Sequence, residues 1–123
     1  MRKKILIADD QEEILKMLEQ SLRQNNYSVV AVSRGRDALR MANLDKPDLV
    51  LLDIAMPDMD GYAIASDLRN NKSLKDVPII FLTGKELESA GIEKRIQDLG
   101  AYDYITKPCD LQDLLAKIKK SIG

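Results

Sequence analysis

Leu49-Val50-Leu51-Leu52-Asp53-Ile54-Ala55-Met56-Pro57 is the stretch whose reading decides the fold. Its first four residues are apolar without alternation, so a strand built from them has both faces covered. That is the condition of a parallel sheet layered between helices. The run ends on an acid, Asp53, and then passes into a segment with Pro57 and the pair Asp60-Gly61, which read as loop and turn punctuation.

Outward from this strand, Lys4 to Ala8, Ser28 to Val32, Pro78 to Thr83 and Tyr104 to Thr106 also read as strands. Stretches of helical period separate and follow them. The first carries Ile14, Leu15, Leu18 and Leu22 on one face, and the last carries Leu111, Leu114, Leu115, Ile118 and Ile122. Each has a capping signal, Asp10 before Glu13 and Asp110 before Asp113. Shorter helices are predicted near Arg36 to Asn43 and Tyr62 to Asn70. A fourth, near Glu86 to Leu99, has Ile92, Ile96 and Leu99 as its apolar face. It contains Gly91, which costs a helix interior about 1 kcal/mol relative to Ala. Five βα repeats imply an α/β protein with a parallel sheet and helices on both faces. The rule for such open sheets puts the site at the carboxyl ends of the strands, where the strand order reverses.

The 123 residues suit one domain, and a hydrophobic fraction of 45% suffices for one core. Nineteen basic and twenty acidic residues leave a formal net charge of -1, so no global field draws the chain onto nucleic acid or anionic lipid. No apolar run is long enough to span a bilayer, and the start lacks the apolar stretch of a signal peptide. A cytoplasmic location is the expectation. With no histidine and a single cysteine, Cys109, the chain has no internal disulfide, no Cys/His zinc site and no histidine-based nucleophile. Carboxylates, hydroxyls and lysines are left to carry any chemistry.

Those groups collect at the predicted strand ends: Asp9-Asp10, Asp53, Thr83-Gly84 and Lys107-Pro108. Singly each has an ordinary reading: Asp10 as a helix cap, Thr83 as a strand-end hydroxyl, Lys107 as a solvated lysine. Together they make a charge problem. Carboxylates about 5 Å apart repel by about 3 kcal/mol per pair at an effective dielectric near 20. A hard divalent cation relieves this, and Mg²⁺, which takes oxygen ligands and keeps several waters, suits a site with few carboxylates.

The ordered motifs Asp9-Asp10, Leu49 to Pro57, Asp60-Gly61, Thr83-Gly84 and Tyr104-Ile105-Thr106-Lys107-Pro108 resemble those of a response-regulator receiver domain of the CheY-like type, across the whole chain. The resemblance implies a flavodoxin-like doubly wound (βα)5 fold with strand order 2-1-3-4-5. Residues 1–123 then read as one receiver domain with no output domain among them. It further implies that Asp53 takes a phosphoryl group from a phosphohistidine on a sensor histidine kinase or histidine phosphotransfer protein. Asp10, Asp53 and the Ala55 backbone carbonyl would hold Mg²⁺, with Asp9 acting through a bound water. Thr83, Lys107 and the backbone amides at Ala55 and Gly84 would receive the phosphoryl oxygens. A cis bond at Lys107-Pro108 would turn the lysine toward them.

Output, on the same resemblance, passes through Thr83 and Tyr104 to the face made by the fourth helix, fifth strand and fifth helix. A second copy or an output partner would meet that face, with Lys85, Glu86, Glu88, Glu93, Lys94 and Arg95 as its exposed charges. Tyr62 and Tyr102 read as half-buried packing residues. Cys109 departs from the family pattern, in which an aromatic residue follows Lys-Pro, and reads as a small buried hydrophobe. An alternative is a Mg²⁺-dependent phosphatase working through an aspartyl phosphate. Such enzymes of the haloacid-dehalogenase type carry a second acid two residues after the nucleophile, where this chain has Ala55. A flavodoxin-like cofactor binder is disfavoured because Asp9-Asp10 would repel a flavin phosphate.

Overall fold

The structure, a computed structural model, describes residues 2–84 and 91–123. Strands β1 (Lys4–Ala8), β2 (Ser28–Val32), β3 (Leu49–Asp53), β4 (Ile79–Thr83) and β5 (Asp103–Thr106) alternate with helices α1 (Glu12–Gln24), α2 (Gly35–Asp45), α3 (Gly61–Arg69), α4 (Gly91–Leu99) and α5 (Leu111–Ile122). All neighbouring strands pair in parallel, in the order β2-β1-β3-β4-β5. The α4 helix is described from Gly91 onward. The predicted stretch before it, 86–90, and the charges expected at Lys85, Glu86 and Glu88 lie outside the described residues.

The unbroken apolar run of β3 is explained by the core it divides. Val50 and Leu52 join Leu6, Ile79 and Phe81 against Ala38 of α2, Ile64 and Leu68 of α3 and Ile92 of α4. Leu49 and Leu51 face the other way, with Ile5, Ile7, Ile80 and Leu82, against Leu15, Leu18 and Leu22 of α1 and Leu114 and Ile118 of α5. Successive residues of one strand thus enter opposite layers, as the two-residue period requires. Cys109 is half-buried at the edge of the second layer. Tyr62 packs edge-on to Phe81 with ring centroids 5.3 Å apart, while Arg95 lies 4.8 Å over its face. Tyr102, expected to be half-buried, is 39% exposed because it lies in the turn that enters β5.

Helix ends are held partly by local and partly by distant groups. Asp110 caps α5 as its position predicts, accepting from the amides of Gln112 and Asp113, and Asp60 caps α3 through the Tyr62 amide. At α1 the expectation fails. Gln11 occupies the N-cap position without a side-chain cap bond, and it is Asp9, not Asp10, whose carboxylate accepts the Gln11 amide at 2.9 Å. The Asp10 carboxyl is drawn instead toward Asp53. At α2 the N-cap residue is Arg34, which caps nothing. Its first amides are taken by Asp58, from the segment between β3 and α3: Gly35 N–H at 2.9 Å and Arg36 N–H at 3.1 Å. Arg69, in the last turn of α3, donates to the carbonyls of Leu99, Gly100, Lys75 and Val77. It thereby fastens the C-terminal end of α4 to the entrance of β4.

Gly61 marks the closest backbone approach. A Cβ there would collide with the Asp53 carbonyl oxygen and sit 2.7 Å from Ile54 Cα, both main-chain atoms that cannot rotate aside. The approach exists because Gly61 N–H donates to the Ile54 carbonyl at 2.8 Å, closing the loop that leaves β3. Gly61→Ala is therefore expected to lower stability by about 1 to 3 kcal/mol, the usual cost of forcing extra volume into packed structure. Urea denaturation measures it, and an unchanged midpoint would contradict the steric account.

Candidate functional site

The sheet order brings the acids together. Since β1 lies between β2 and β3, and Ala8 pairs with Leu52, Asp9 and Asp53 leave neighbouring strands at the same level. Asp9 is 0% and Asp53 4% exposed; Asp10 is partly open. One carboxylate oxygen from each of Asp9, Asp10 and Asp53 lies within 4.8 Å of the others. Thr83 pairs with Thr106 at the ends of β4 and β5, and the Lys107 N–H donates to the Thr83 carbonyl at 2.7 Å. The Lys107-Pro108 bond is cis, as expected.

Lys107 reaches across to the acids. Its Nζ lies 2.7 Å from Asp9 Oδ2 and 3.2 Å from Asp53 Oδ2, and it donates to Gln11 Oε1 at 2.9 Å. Asp9 Oδ2 makes no well-directed hydrogen bond, so its hold on Lys107 is chiefly ionic. Burial by itself lowers the pKa of the ammonium, but the hydrogen bond and charge of Asp9, joined by Asp53, outweigh that and raise it overall. Lys107 is accordingly charged at neutral pH.

The Asp10 carboxyl has its pKa raised, first by burial and then by hydrogen bonding and charge repulsion from Asp53. Two carboxyls in such contact need either a shared proton or a cation. Oxygen donors at this spacing, with one group driven toward protonation, fit a hard divalent ion such as Mg²⁺. The phosphoacceptor candidate itself is anchored by the Ala55 amide, which donates to Asp53 Oδ1 at 3.2 Å.

The other predicted residues take distinct places. Thr83 is 0% exposed, and its hydroxyl donates to the Gly84 carbonyl at 3.1 Å rather than to an acid. Tyr104 is half-buried against the layer containing Phe81 and Ile92, with Lys117 Nζ 6.0 Å from its ring centroid. Glu93, Lys94 and Arg95 are exposed on α4. Burial raises the pKa of the Cys109 thiol, against a smaller opposing effect of Lys107, which fits an inert packing cysteine rather than a reactive one. Gln11 is a site residue that sequence reasoning passed over; only its adjacency to Asp9-Asp10 hinted at it. Asp58 was likewise missed, its partners being more than twenty residues away.

Comparison with known proteins identifies the family of the chain. Residues 5–119 match the family model of the response regulator receiver domain, and the chain belongs to that family of two-component signalling proteins. It is 39% identical over 122 residues to the alkaline phosphatase synthesis transcriptional regulatory protein PhoP of Bacillus subtilis, covering 97% of this chain and 48% of that protein. The chain thus spans about half the length of the curated relatives it matches. Among solved structures, the chemotaxis protein CheY4 of Vibrio cholerae is similar with a TM-score of 0.91 at 27% identity, over 98% of this chain and 99% of that one. The BeF3-activated receiver domain of Klebsiella pneumoniae RstA is similar with a TM-score of 0.86 at 33% identity, over 98% of each. Among the described residues no helix is long and apolar enough to cross a membrane.

The raised pKa of Asp10 has a thermodynamic sign. A carboxyl whose folded pKa exceeds its unfolded value of about 3.8 contributes stability below that value and loses it as pH rises through the folded pKa. At neutral pH in a chelator, Asp10→Asn is expected to melt above the native protein. The gain should shrink as pH falls toward 4, where native Asp10 takes up its proton. Calorimetry across that range tests this; a lower melting point for Asp10→Asn at pH 7 would reject it.

Proposed function

We propose that the chain is a phosphorylation switch in which Asp53 accepts a phosphoryl group from a phosphohistidine on a sensor histidine kinase or histidine phosphotransfer protein. The observation that carries this reading is the buried Asp53 carboxylate held between the Ala55 amide and Lys107 Nζ, 3.2 Å from each. An Asp53 oxygen attacks phosphorus in line, the P–O bond forms as the P–N bond breaks, and the imidazole leaves with its electron pair. Such a loose transition state asks chiefly for positioning and charge compensation. Lys107, already charged and held at its Nζ by Asp9, Gln11 and Asp53, can turn part of its hydrogen bonding to the arriving phosphoryl oxygens. The Thr83 hydroxyl and the amides at Ala55 and Gly84 supply neutral donors.

Asp10, Asp53 and the Ala55 carbonyl would hold Mg²⁺, which supplies charge neutralisation for the acids and the incoming phosphate. Asp9, with Oδ1 accepting the Gln11 amide and Oδ2 paired with the Lys107 ammonium, would act through a bound water rather than as a direct ligand. Ala55 carries no acid, so hydrolysis is a slow self-dephosphorylation and not phosphatase turnover on outside esters. Treatment with acetyl phosphate and Mg²⁺ followed by mass spectrometric mapping is expected to find phosphate on Asp53 alone. Chelation of the metal should stop the reaction. Phosphate on a serine, or full labelling of Asp53→Asn, would sink the proposal, and rapid cleavage of p-nitrophenyl phosphate would favour a phosphatase.

Output passes from Thr83 and Tyr104 to the face of α4, β5 and α5. In the structure the Thr83 hydroxyl is turned to its own neighbouring carbonyl, a weak bond that a phosphoryl oxygen can outcompete. A charge-assisted hydrogen bond contributes about 1.5 to 3 kcal/mol, whereas reversing a 1:99 population takes about 5.5 kcal/mol. Binding of a second copy or an output partner completes the shift. Beryllofluoride is expected to move amide NMR signals at Thr83, Gly91 and Tyr104, and Thr83→Ala to abolish the distant changes while Asp53 still accepts phosphate. Distant shifts that persist unchanged in Thr83→Ala would refute this route.

A further inference from the structure

We propose that Asp58 is a positioning residue for the phosphoryl site: by capping α2 from the segment between β3 and α3, it holds the backbone that presents the Ala55 carbonyl and amide. The proposal rests on the reading of that carbonyl as a metal ligand and that amide as a phosphoryl donor.

Each oxygen of Asp58 accepts one amide, Gly35 N–H at 2.9 Å on Oδ1 and Arg36 N–H at 3.1 Å on Oδ2. These are orphan donors of the first helical turn, which α2 leaves without a cap of its own. The loop and helix also touch closely. A Cβ on Gly35 would lie 2.7 Å from Met59 Cβ and 2.8 Å from Ile64 Cδ1, so the clasp depends on glycine at the start of α2. These two amide bonds lower the pKa of the exposed Asp58 carboxyl, the sign expected when both amides grip its ionised form.

The remaining supports of the segment lie at its base. Ile54 N–H donates to the Leu82 carbonyl, Gly61 N–H returns to the Ile54 carbonyl, and Ala55 and Asp60 form a single antiparallel bridge. Above that base, Met56 is buried and Pro57 is exposed. Asp58 is the polar tether of the tip. The strand that leads into α2, β2, is tied to the acids as well, since the Val32 carbonyl accepts the Asp9 N–H at 3.1 Å. The clasp therefore joins the two loops on either side of the acid cluster, across a cleft of about 400 Å³ that Asp10, Arg34, Pro57 and Asp58 help to line. A main-chain ligand has no side-chain rotamer to set its direction, so the carbonyl and amide of Ala55 point wherever their loop is held.

Mg²⁺ titration of the whole chain, followed by the NMR signals of the Asp10 and Ala55 amides, tests the proposal. Asp58→Ala is expected to weaken Mg²⁺ binding about tenfold, the low end of the effect of removing supports behind a metal ligand. Asp58→Asn, which keeps a carbonyl acceptor, should fall between it and the native protein. Ala38→Gly, which weakens α2 from within through the poor helix propensity of glycine, serves as the stability control and should bind Mg²⁺ as the native chain does. Native affinity in Asp58→Ala, or an equal loss in Ala38→Gly at a matched fall in melting temperature, overturns the positioning role and leaves the phosphoacceptor reading intact. Failure of the native chain itself to bind Mg²⁺ would overturn that reading, and this proposal with it.

Discussion

Three carboxylates gathered at one end of a sheet, with Lys107 the one ammonium paired with them among the described residues, impose the condition to which the rest of the molecule responds. Asp9 and Asp53 are buried, Asp10 is partly so, and Lys107 is shared between the first two. Lys107 alone cannot neutralise three ionised acids, and the Asp10 carboxyl has its pKa raised, by burial first and then by the hydrogen bond and charge of Asp53. A site of this charge suits a hard cation, and the proposed phosphoryl transfer rests on such a cation being in place.

Holding charges this close needs a rigid floor, and the doubly covered sheet supplies one. Its central strands send alternate side chains into two dry layers, so the ends of β1, β3 and β4 cannot drift apart without opening both. The connecting segments are fastened with comparable economy of means. Gly61 lets the α3 start press against the Asp53 carbonyl, Asp58 caps α2, and Arg69 spans from α3 to the end of α4. The pinned end of α4 is its C-terminus, through the Arg69 bonds to the Leu99 and Gly100 carbonyls.

The two-layered core was legible because burial on both faces leaves a one-dimensional trace. Leu49 to Leu52 had to be apolar throughout, and Leu15, Leu18 and Leu22 had to recur at helical spacing. The acids, Thr83 and Lys107 were legible because each falls where an apolar run stops. Harder to see were features with long-range partners. Asp10 looks like a helix cap in sequence, yet Asp9 takes that amide, since the proximity of Asp53 is invisible along the chain. Nothing near Asp58 announces that it caps a helix twenty-two residues earlier, and nothing near Gln11 that its Oε1 accepts a hydrogen bond from Lys107, ninety-six residues later.

By itself, then, the chain determined its class, its strand and helix succession and which polar groups gather at its strand ends. Those follow from local rules: side-chain period, capping chemistry, and the stopping points of apolar runs. Tertiary structure alone decided how the groups divide their work. Whether Lys107 leans more on Asp9 or Asp53, which acid accepts the Gln11 amide, and which side chain caps α2 depend on how the folded chain places these groups. Such placement exists only after the sheet has set its order, because charge interactions act through space and carry no memory of the covalent path.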